Sequence, residues 1–369
     1  MTHFGIIADI QLQGKGLAEA GACLKWAAAI LQEQRVDAVL LPGDIFERDQ
    51  LGDRTRQTGG VADVFYEFLE ELREIPVHAV SGNHDRFGIA RDSALKTIRY
   101  PNFFLHDTTT PANMDRVSWP HTCVFFLNWI YPPSPQWLAQ EFERMLPLLD
   151  ELRSRSSADI AFVLCAHGQV VGAIQNGGHA CDGGVSILPR EFLSKFDYLA
   201  LGDFHLRQEI LPGRGGFVGA LFQQDIGEED DPCGIETVQV GPCEDKPLQI
   251  VSTWHECPVA RRYKTMLVTS PDQAKELLSL DLSHTSLRVQ YPFDGTPEAV
   301  NLRAVLTPFI AQGIKLVPIR PKTERTLRTN GKLERVDSPT CALEFWIHEK
   351  NVPKEEAELL RECLALVGV

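Results

Sequence analysis

The sequence predicts an α/β protein built around a buried, largely parallel sheet, and three observations carry that expectation. Over the first 258 residues or so, short apolar runs of strand length alternate with helical stretches. The runs are largely apolar rather than alternating, as expected of strands covered on both faces. Polar residues of metal-ligating type fall directly after several of them. At 369 residues the chain is long enough for about two domains of roughly 150 residues each.

The elements follow in order. Phe4–Ala8 reads as a strand ending in Asp9, and Leu17–Arg35 as a helix with Leu24, Ala27, Ala28 and Leu31 at helical spacing. Asp37–Leu41 is the second strand, closed by Pro42-Gly43-Asp44; Val61–Glu74 is a helix; Val77–Val80 is a strand leading into Ser81-Gly82-Asn83-His84-Asp85. Thr122–Leu127, Ile160–Ala166 and Tyr198–Leu201 are further strands, the second followed by His167-Gly168 and the third by Gly202-Asp203-Phe204-His205. The acidic, glycine-bearing stretch Gly227–Gly234 reads as a turn between antiparallel strands. Around Pro258 a boundary opens a smaller pattern: strand Lys264–Val268, helix Pro271–Leu280, strand Leu287–Tyr291, helix Pro297–Gln312 and strand Ile314–Ile319. Lys322–Ser338 is polar enough for a linker, and Cys341–Leu366 reads as two helical pieces broken at Asn351-Val352-Pro353.

Composition narrows the class. The formal charge is −14, the hydrophobic fraction 44% and the phenylalanine count 19, which excludes a disordered chain. No apolar run approaches the roughly 20 residues that span a bilayer, and the start of the chain lacks the basic pattern of a signal peptide. Nine cysteines without a Cys-x-x-Cys pair argue against a disulfide framework and a zinc knuckle, so a soluble, cytoplasmic protein with no membrane partner is expected. No basic stripe suits phosphate contacts. Either nucleic acid is not a partner, or metal ions and a partner subunit supply the positive charge.

The chemistry lies in where the ligand-type residues fall. Asp9, Asp44, Asn83-His84, His167 and Asp203-x-His205 each follow an apolar strand, and ligand sites of open α/β sheets form at the carboxyl ends of strands. Taken singly, Asp9 or Asp44 would be an ordinary helix cap or strand-end residue and His167 a core histidine. Together they would line a hard oxygen-and-nitrogen pocket suited to two divalent cations, Mn²⁺ or Mg²⁺, bridged by Asp44 about 4 Å apart. Arg48, Arg54, Arg56 and Arg86 in adjoining loops are candidate phosphate clamps, Glu47 could hold a water, and His179 could approach a substrate.

Leu41-Pro42-Gly43-Asp44-Ile45-Phe46, Gly82-Asn83-His84-Asp85, His167-Gly168 and Gly202-Asp203-Phe204-His205 together resemble the calcineurin-like metallophosphoesterases. Tyr198–Gln208, and Phe217-Val218-Gly219-Ala220 followed by Glu228-Glu229-Asp230-Asp231, resemble their SbcD-type DNA-repair nuclease subunits. The resemblance implies a four-layer α/β/β/α sandwich over residues 1–258, a small β/α capping domain over 259–325, and a linker with C-terminal helices over 326–369 that dock an SbcC-like coiled-coil ATPase. It also implies a homodimer hydrolysing DNA phosphodiesters. The first metal would be held by Asp9, Gln11, Asp44 and His205, and the second by Asp44, Asn83, His167 and Asp203. His84 would be the general acid or transition-state stabiliser, oriented by Asp85. Two positions depart from the family pattern, which has histidine where Gln11 and Asp203 stand. The resulting harder ligand set favours Mg²⁺ or Mn²⁺ over Zn²⁺ and weakens the first position. A small-molecule phosphodiesterase, or a scaffold with a degenerate site that regulates an ATPase, are the alternatives.

Overall fold

In the first strand Phe4, Ile6 and Ala8 face one way and Gly5 and Ile7 the other, and both sets are covered. That double coverage sets the architecture. The computed structural model describes residues 1–48, 60–87, 92–108, 110–175, 178–243, 245–277, 280, 282, 284–319, 326–329, 332–335, 343, 347 and 358. Arg54 and Arg56 lie outside the described residues, as does nearly all of the tail read as two helical pieces.

The elements run β1 (Thr2–Ile6), α1 (Leu17–Glu33), β2 (Ala38–Leu41), α2 (Val61–Glu71), β3 (Val77–Ala79), β4 (Arg86–Phe87), β5 (Asp92–Ser93), β6 (Phe103–Leu105), β7 (Asp115–Trp119) and β8 (Thr122–Leu127). They continue with α3 (Pro135–Arg155), β9 (Ala161–His167), α4 (Arg190–Leu193), β10 (Tyr198–Gly202), β11 (Gln208–Glu209), β12 (Gly215–Phe217), β13 (Gly234–Cys243) and β14 (Lys246–Glu256). The last are β15 (Arg262–Leu267), α5 (Pro271–Glu276), β16 (Thr285–Pro292), α6 (Pro297–Leu306), β17 (Lys315–Ile319), β18 (Thr326–Thr329) and β19 (Lys332–Arg335).

Two six-stranded mixed sheets form the core, in the orders β14-β13-β1-β2-β3-β6 and β11-β12-β10-β9-β8-β7. Within each, four adjacent strands are parallel: β1, β2, β3 and β6 in the first, β12, β10, β9 and β8 in the second. Between the sheets pack Phe4, Ile6, Leu40, Val80, Phe126, Val163, Tyr198 and Val238. The outer face of the first sheet carries α1 and α2 through Leu24, Leu31, Phe65 and Phe68; that of the second carries α3 and α4 through Phe142, Met145, Phe192 and Leu193. This is the four-layer α/β/β/α sandwich that the resemblance implies. The seam also holds two histidines that fit no motif: His78 and His106 stack with Phe126, His78 Nδ1 lying 2.9 Å from His106 Nε2.

Two features differ from the sequence reading. The stretch Gly227–Gly234 does not turn between antiparallel strands: β12 before it belongs to the second sheet, β13 after it pairs antiparallel with β1 in the first, and the loop crosses from one to the other. The antiparallel hairpin is β13–β14. Within the polar run read as a linker, β18 and β19 pair antiparallel with Thr329 opposite Lys332. Asn330-Gly331 between them is the pair that favours two-residue hairpins.

By contact the chain divides into Met1–Thr265 with Asp281–Arg288, and Met266–Leu280 with Val289–Val369. The second unit carries α5, α6, β17 and the latter parts of β15 and β16, the three strands ordered β15-β16-β17, over Ala274, Val289, Tyr291, Leu302 and Leu306. Among the described residues no helix is long and apolar enough to cross a membrane.

Phe126 is fully buried in the seam with its ring 3.7 Å from that of His106. Phe126→Ala is expected to cost about 3–5 kcal/mol of stability, read from urea unfolding midpoints; a loss below about 1 kcal/mol would contradict the close packing assigned to this layer.

Candidate metal centre

Each site residue sits where a strand stops and its backbone bends sharply. Asp9, Gln11, Asp44 and Asp203 all have positive φ, at 48°, 45°, 51° and 120°, conformations that β-carbons resist. The bends throw the side chains together beyond the ends of β1, β2 and β10. Gln11 N donates to the Asp44 carbonyl at 2.8 Å and Leu12 N to that of Ile45 at 2.9 Å, binding the two loops side by side. Glycines admit the approach: a β-carbon on Gly82 would lie 2.0 Å from Asp44 Oδ1, and one on Gly202 2.2 Å from the Pro42 carbonyl oxygen.

Asp9, Asp44, Asn83, His167, Asp203 and His205 meet here. Asp44 is touched from both sides. Its Oδ1 accepts from His84 N at 2.8 Å and lies 3.5 Å from His167 Nε2; its Oδ2 lies 3.5 Å from Gln11 Nε2. Asp9 accepts from Asp203 N at 3.1 and 3.3 Å. Asp9, Asp44 and His167 are buried and offer ligand atoms within 4.8 Å of one another.

The histidines are pre-set for ligation. His167 Nδ1 is 2.7 Å from the Pro42 carbonyl oxygen, so Nδ1–H donates there and Nε2 turns its lone pair inward. His205 Nδ1 donates to Glu228 Oε1 at 2.6 Å, which leaves Nε2 toward the site. Glu228 is buried, and its Oε2 accepts from Gln224 N.

Donor chemistry tests the fit to a cation. The Asn83 amide lies 3.3 Å from Asp44 Oδ2, 3.0 Å from His167 Nε2 and 3.3 Å from Asp203 Oδ1, atoms that all offer lone pairs once His167 is in the neutral form that ligation requires. His167 Nε2 is 3.6 Å from Asp203 Oδ1. Converging lone pairs repel unless something positive lies among them, and these spacings match the edges of a polyhedron with bonds of about 2.1 Å. Turned over, the same amide would donate to those acceptors, so its orientation follows whether a cation or only protons balance the site. The set fits a hard divalent ion.

Electrostatics agree. Burial alone would lower His167, but Asp44, Asp203 and Asp9 raise its pKa to about 10. Burial likewise opposes, and Glu228, Asp9 and Asp44 outweigh it, at His205, raised to about 9. Asp9 is lifted to about 7, chiefly by burial.

At the rim His84 differs from expectation. Its imidazole is held by Glu47, with Nδ1 2.8 Å from Oε1, and its Nε2 lies 3.9 Å from Asp44 Oδ2. Asp85, expected to orient it, is buried and accepts instead from Phe46 N at 3.0 Å and Gly82 N at 2.9 Å, since its side chain turns back under the loop. Arg86, read as a phosphate clamp, donates to Asp107 at 2.9 Å with its side chain only 8% exposed. His179 is exposed on its loop. The sequence reading left the orienting roles of Glu228 and Glu47 unassigned. It also did not anticipate Asn128, whose Oδ1 accepts from Ser81 N at 2.6 Å, or Trp129, whose ring packs edge-on to His167.

The chelator-treated chain is expected to be most stable in mild acid. Raised histidines contribute fully below 6.5 and lose that contribution as pH climbs through about 9–10; Asp9 acts in the same sense, its contribution fading between 3.8 and about 7. Urea midpoints with EDTA should therefore fall between about pH 6 and about pH 10, and equal midpoints would contradict the charge pairing.

Against known proteins, a family model described as calcineurin-like phosphoesterase matches residues 2–258. No curated protein sequence matches. Among solved structures the chain is similar to a dimetal phosphatase from Danio rerio at 13% identity, covering 69% of this chain and 96% of that one, with a TM-score of 0.46. It is also similar to a glutamine-dependent NAD⁺ synthetase from Acinetobacter baumannii in complex with ADP, at 8% identity, 87% and 65% coverage and a TM-score of 0.32. The matched stretch contains both sheets and every strand end that feeds the site, and on that match the chain belongs to the calcineurin-like phosphoesterases.

Proposed function

We propose that this chain is a metal-dependent phosphodiesterase acting on DNA, the nuclease subunit of an SbcCD-type complex. The observation that carries the hydrolytic reading is the convergence of Asp44, Asn83, His167 and Asp203 on one point, with a histidine–glutamate pair at its rim. The DNA reading is supported by the resemblance of Tyr198–Gln208 and of the acidic stretch after Phe217 to SbcD-type subunits.

One ion would be held by Asp9, Gln11, Asp44 and His205, the other by Asp44, Asn83, His167 and Asp203. Divalent cations, Mn²⁺ or Mg²⁺, supply Lewis acidity to the phosphoryl oxygens and bring a water toward ionisation near neutral pH. The protein does the rest. His167 and His205 are kept in the ligating tautomer by the Pro42 carbonyl and Glu228. Burial works against protonation of His84, yet its bond to Glu47 and the nearby Asp44 raise its pKa above the ordinary imidazole value, which favours the protonated form. It can then donate from Nε2 to the leaving oxygen while Nδ1–H remains on Glu47. An SbcC-like ATPase would supply the basic surface that a chain of charge −14 lacks.

The test is hydrolysis of linear duplex DNA with Mn²⁺, with and without an SbcC-like ATPase, against a small diester substrate. His84→Ala is expected to lower the rate by about 10²–10⁴ without loss of metal. Glu47→Gln should move the alkaline limb of the pH–rate profile to lower pH, because His84 then loses its proton sooner. Cleavage of the small diester with DNA untouched would overturn the nuclease reading, and full activity in His84→Ala would remove that residue from the chemistry.

A further inference from the structure

The loop that carries Asn83 and His84 leaves its sheet after Val80, whose N donates to the Leu41 carbonyl at 3.1 Å. What holds it next comes from the other half of the sandwich. Asn128, just beyond β8, accepts from Ser81 N on its Oδ1 at 2.6 Å, and Trp129 N donates to the Ser81 carbonyl at 2.9 Å. Both backbone groups of Ser81 are thus taken by two consecutive residues that follow a strand of the opposite sheet. From there the loop closes on itself, Gly82 N donating to Asp85 and His84 N to Asp44.

Asn128 is fully buried, and its backbone partners dictate which way its amide points. Oδ1 faces the Ser81 N–H, while Nδ2 donates at 2.9 Å to the carbonyl of Thr108, in the loop after β6. A carboxamide supplies an acceptor and a donor on one carbon; aspartate keeps only the acceptor, and alanine keeps neither. The same segment also reaches the His167 side. The Trp129 ring packs edge-on to His167 at 5.8 Å. Ile130 N donates to Ser186 Oγ at 3.1 Å, and the Ser186 carbonyl accepts from Gln169 N at 2.8 Å, two residues past His167.

We infer that Asn128 is a positioning residue for Asn83 and His84. It acts through Ser81, two positions before Asn83 and three before His84, and sets where their loop leaves the first sheet. That in turn fixes Asn83 against His167 and Asp203, and His84 against Asp44. The inference rests on the metal-dependent reading given above and adds to it a residue that no ligand pattern marks. Without the Asn128 acceptor the buried Ser81 N–H is left unpaired, and the loop moves to satisfy it. A shift of about 1 Å at His84 is enough to cost about 10²-fold in rate.

The test is Mn²⁺ titration of the chelator-treated chain by calorimetry, with hydrolysis of whichever diester the wild type cleaves, at a temperature where circular dichroism shows each variant folded. Asn128→Ala is expected to weaken Mn²⁺ binding by about 10–100-fold and to lower kcat while KM stays near that of the wild type. Asn128→Asp, which keeps an acceptor for Ser81 N, should retain most of both. Phe126→Ala, two residues away on the same strand and costly to stability, should bind Mn²⁺ as the wild type does, which separates positioning from loss of stability. Unchanged affinity and kcat in Asn128→Ala, or an equal loss in Phe126→Ala, would overturn the assignment. Should Asn128→Ala not fold, a loss of about 10–100-fold in Asn128→Asp would overturn it equally. A wild type that binds no Mn²⁺ would sink the metal reading and this inference with it, whereas equal binding by the wild type and Asn128→Ala would sink the inference alone.

Discussion

Three buried or nearly buried carboxylates at one point are the constraint around which this molecule is organised. Asp9, Asp44 and Asp203 lie where water does not screen them, and ionised carboxylates in such a place must be matched by positive charge. Protons on His167 and His205 can do it, which is why both imidazoles hold protons well above their ordinary range. Divalent cations can do it better, since they also satisfy the Asn83 oxygen and use the carboxylates as ligands. Rigid partners stand behind each imidazole, so exchanging protons for cations needs no rearrangement of His167 or His205.

The fold supplies the means. Parallel strands end on one edge, and from that edge the chain must turn away within a residue or two. Here the turning residues are themselves the ligands, with Asp9, Asp44 and Asp203 in backbone conformations that cost on the order of 1 kcal/mol or more each. Bends of this kind persist because the parallel core beneath them over-determines the chain path. Gly43, Gly82 and Gly202 complete the arrangement by leaving room where a methyl group would strike His167, Asp44 or the Pro42 carbonyl.

Much of this was legible in the residues. Strands β1, β2, β3, β8, β9 and β10 lie in largely apolar runs, and a polar residue within about three positions of each end announces where the strand stops. What was not legible has physical causes. Helix α3 escaped because Pro132 and Pro133 precede it, Pro135 opens it and Pro147 interrupts its apolar spacing, although the helix runs through that proline. Of four consecutive acidic residues at 228–231, only Glu228 turns inward, and composition cannot say which one does. The role of Glu47 depends on a loop folding back on His84, a contact 37 residues apart that no local pattern encodes. The turn at 227–234 misled because a jump between sheets and a hairpin turn draw on the same residues.

That jump has a further consequence. His205 leaves the second sheet, Glu228 rides the strap leading to β13, and Asp9 and Asp44 leave the first, so neither half of the sandwich owns a complete ligand set. Gln11 and His205 meet across 194 positions of chain. Contacts so remote in sequence close late, after the loop entropy between them has been spent. The centre therefore cannot assemble within one half of this polypeptide alone, and its presence certifies that both halves are joined.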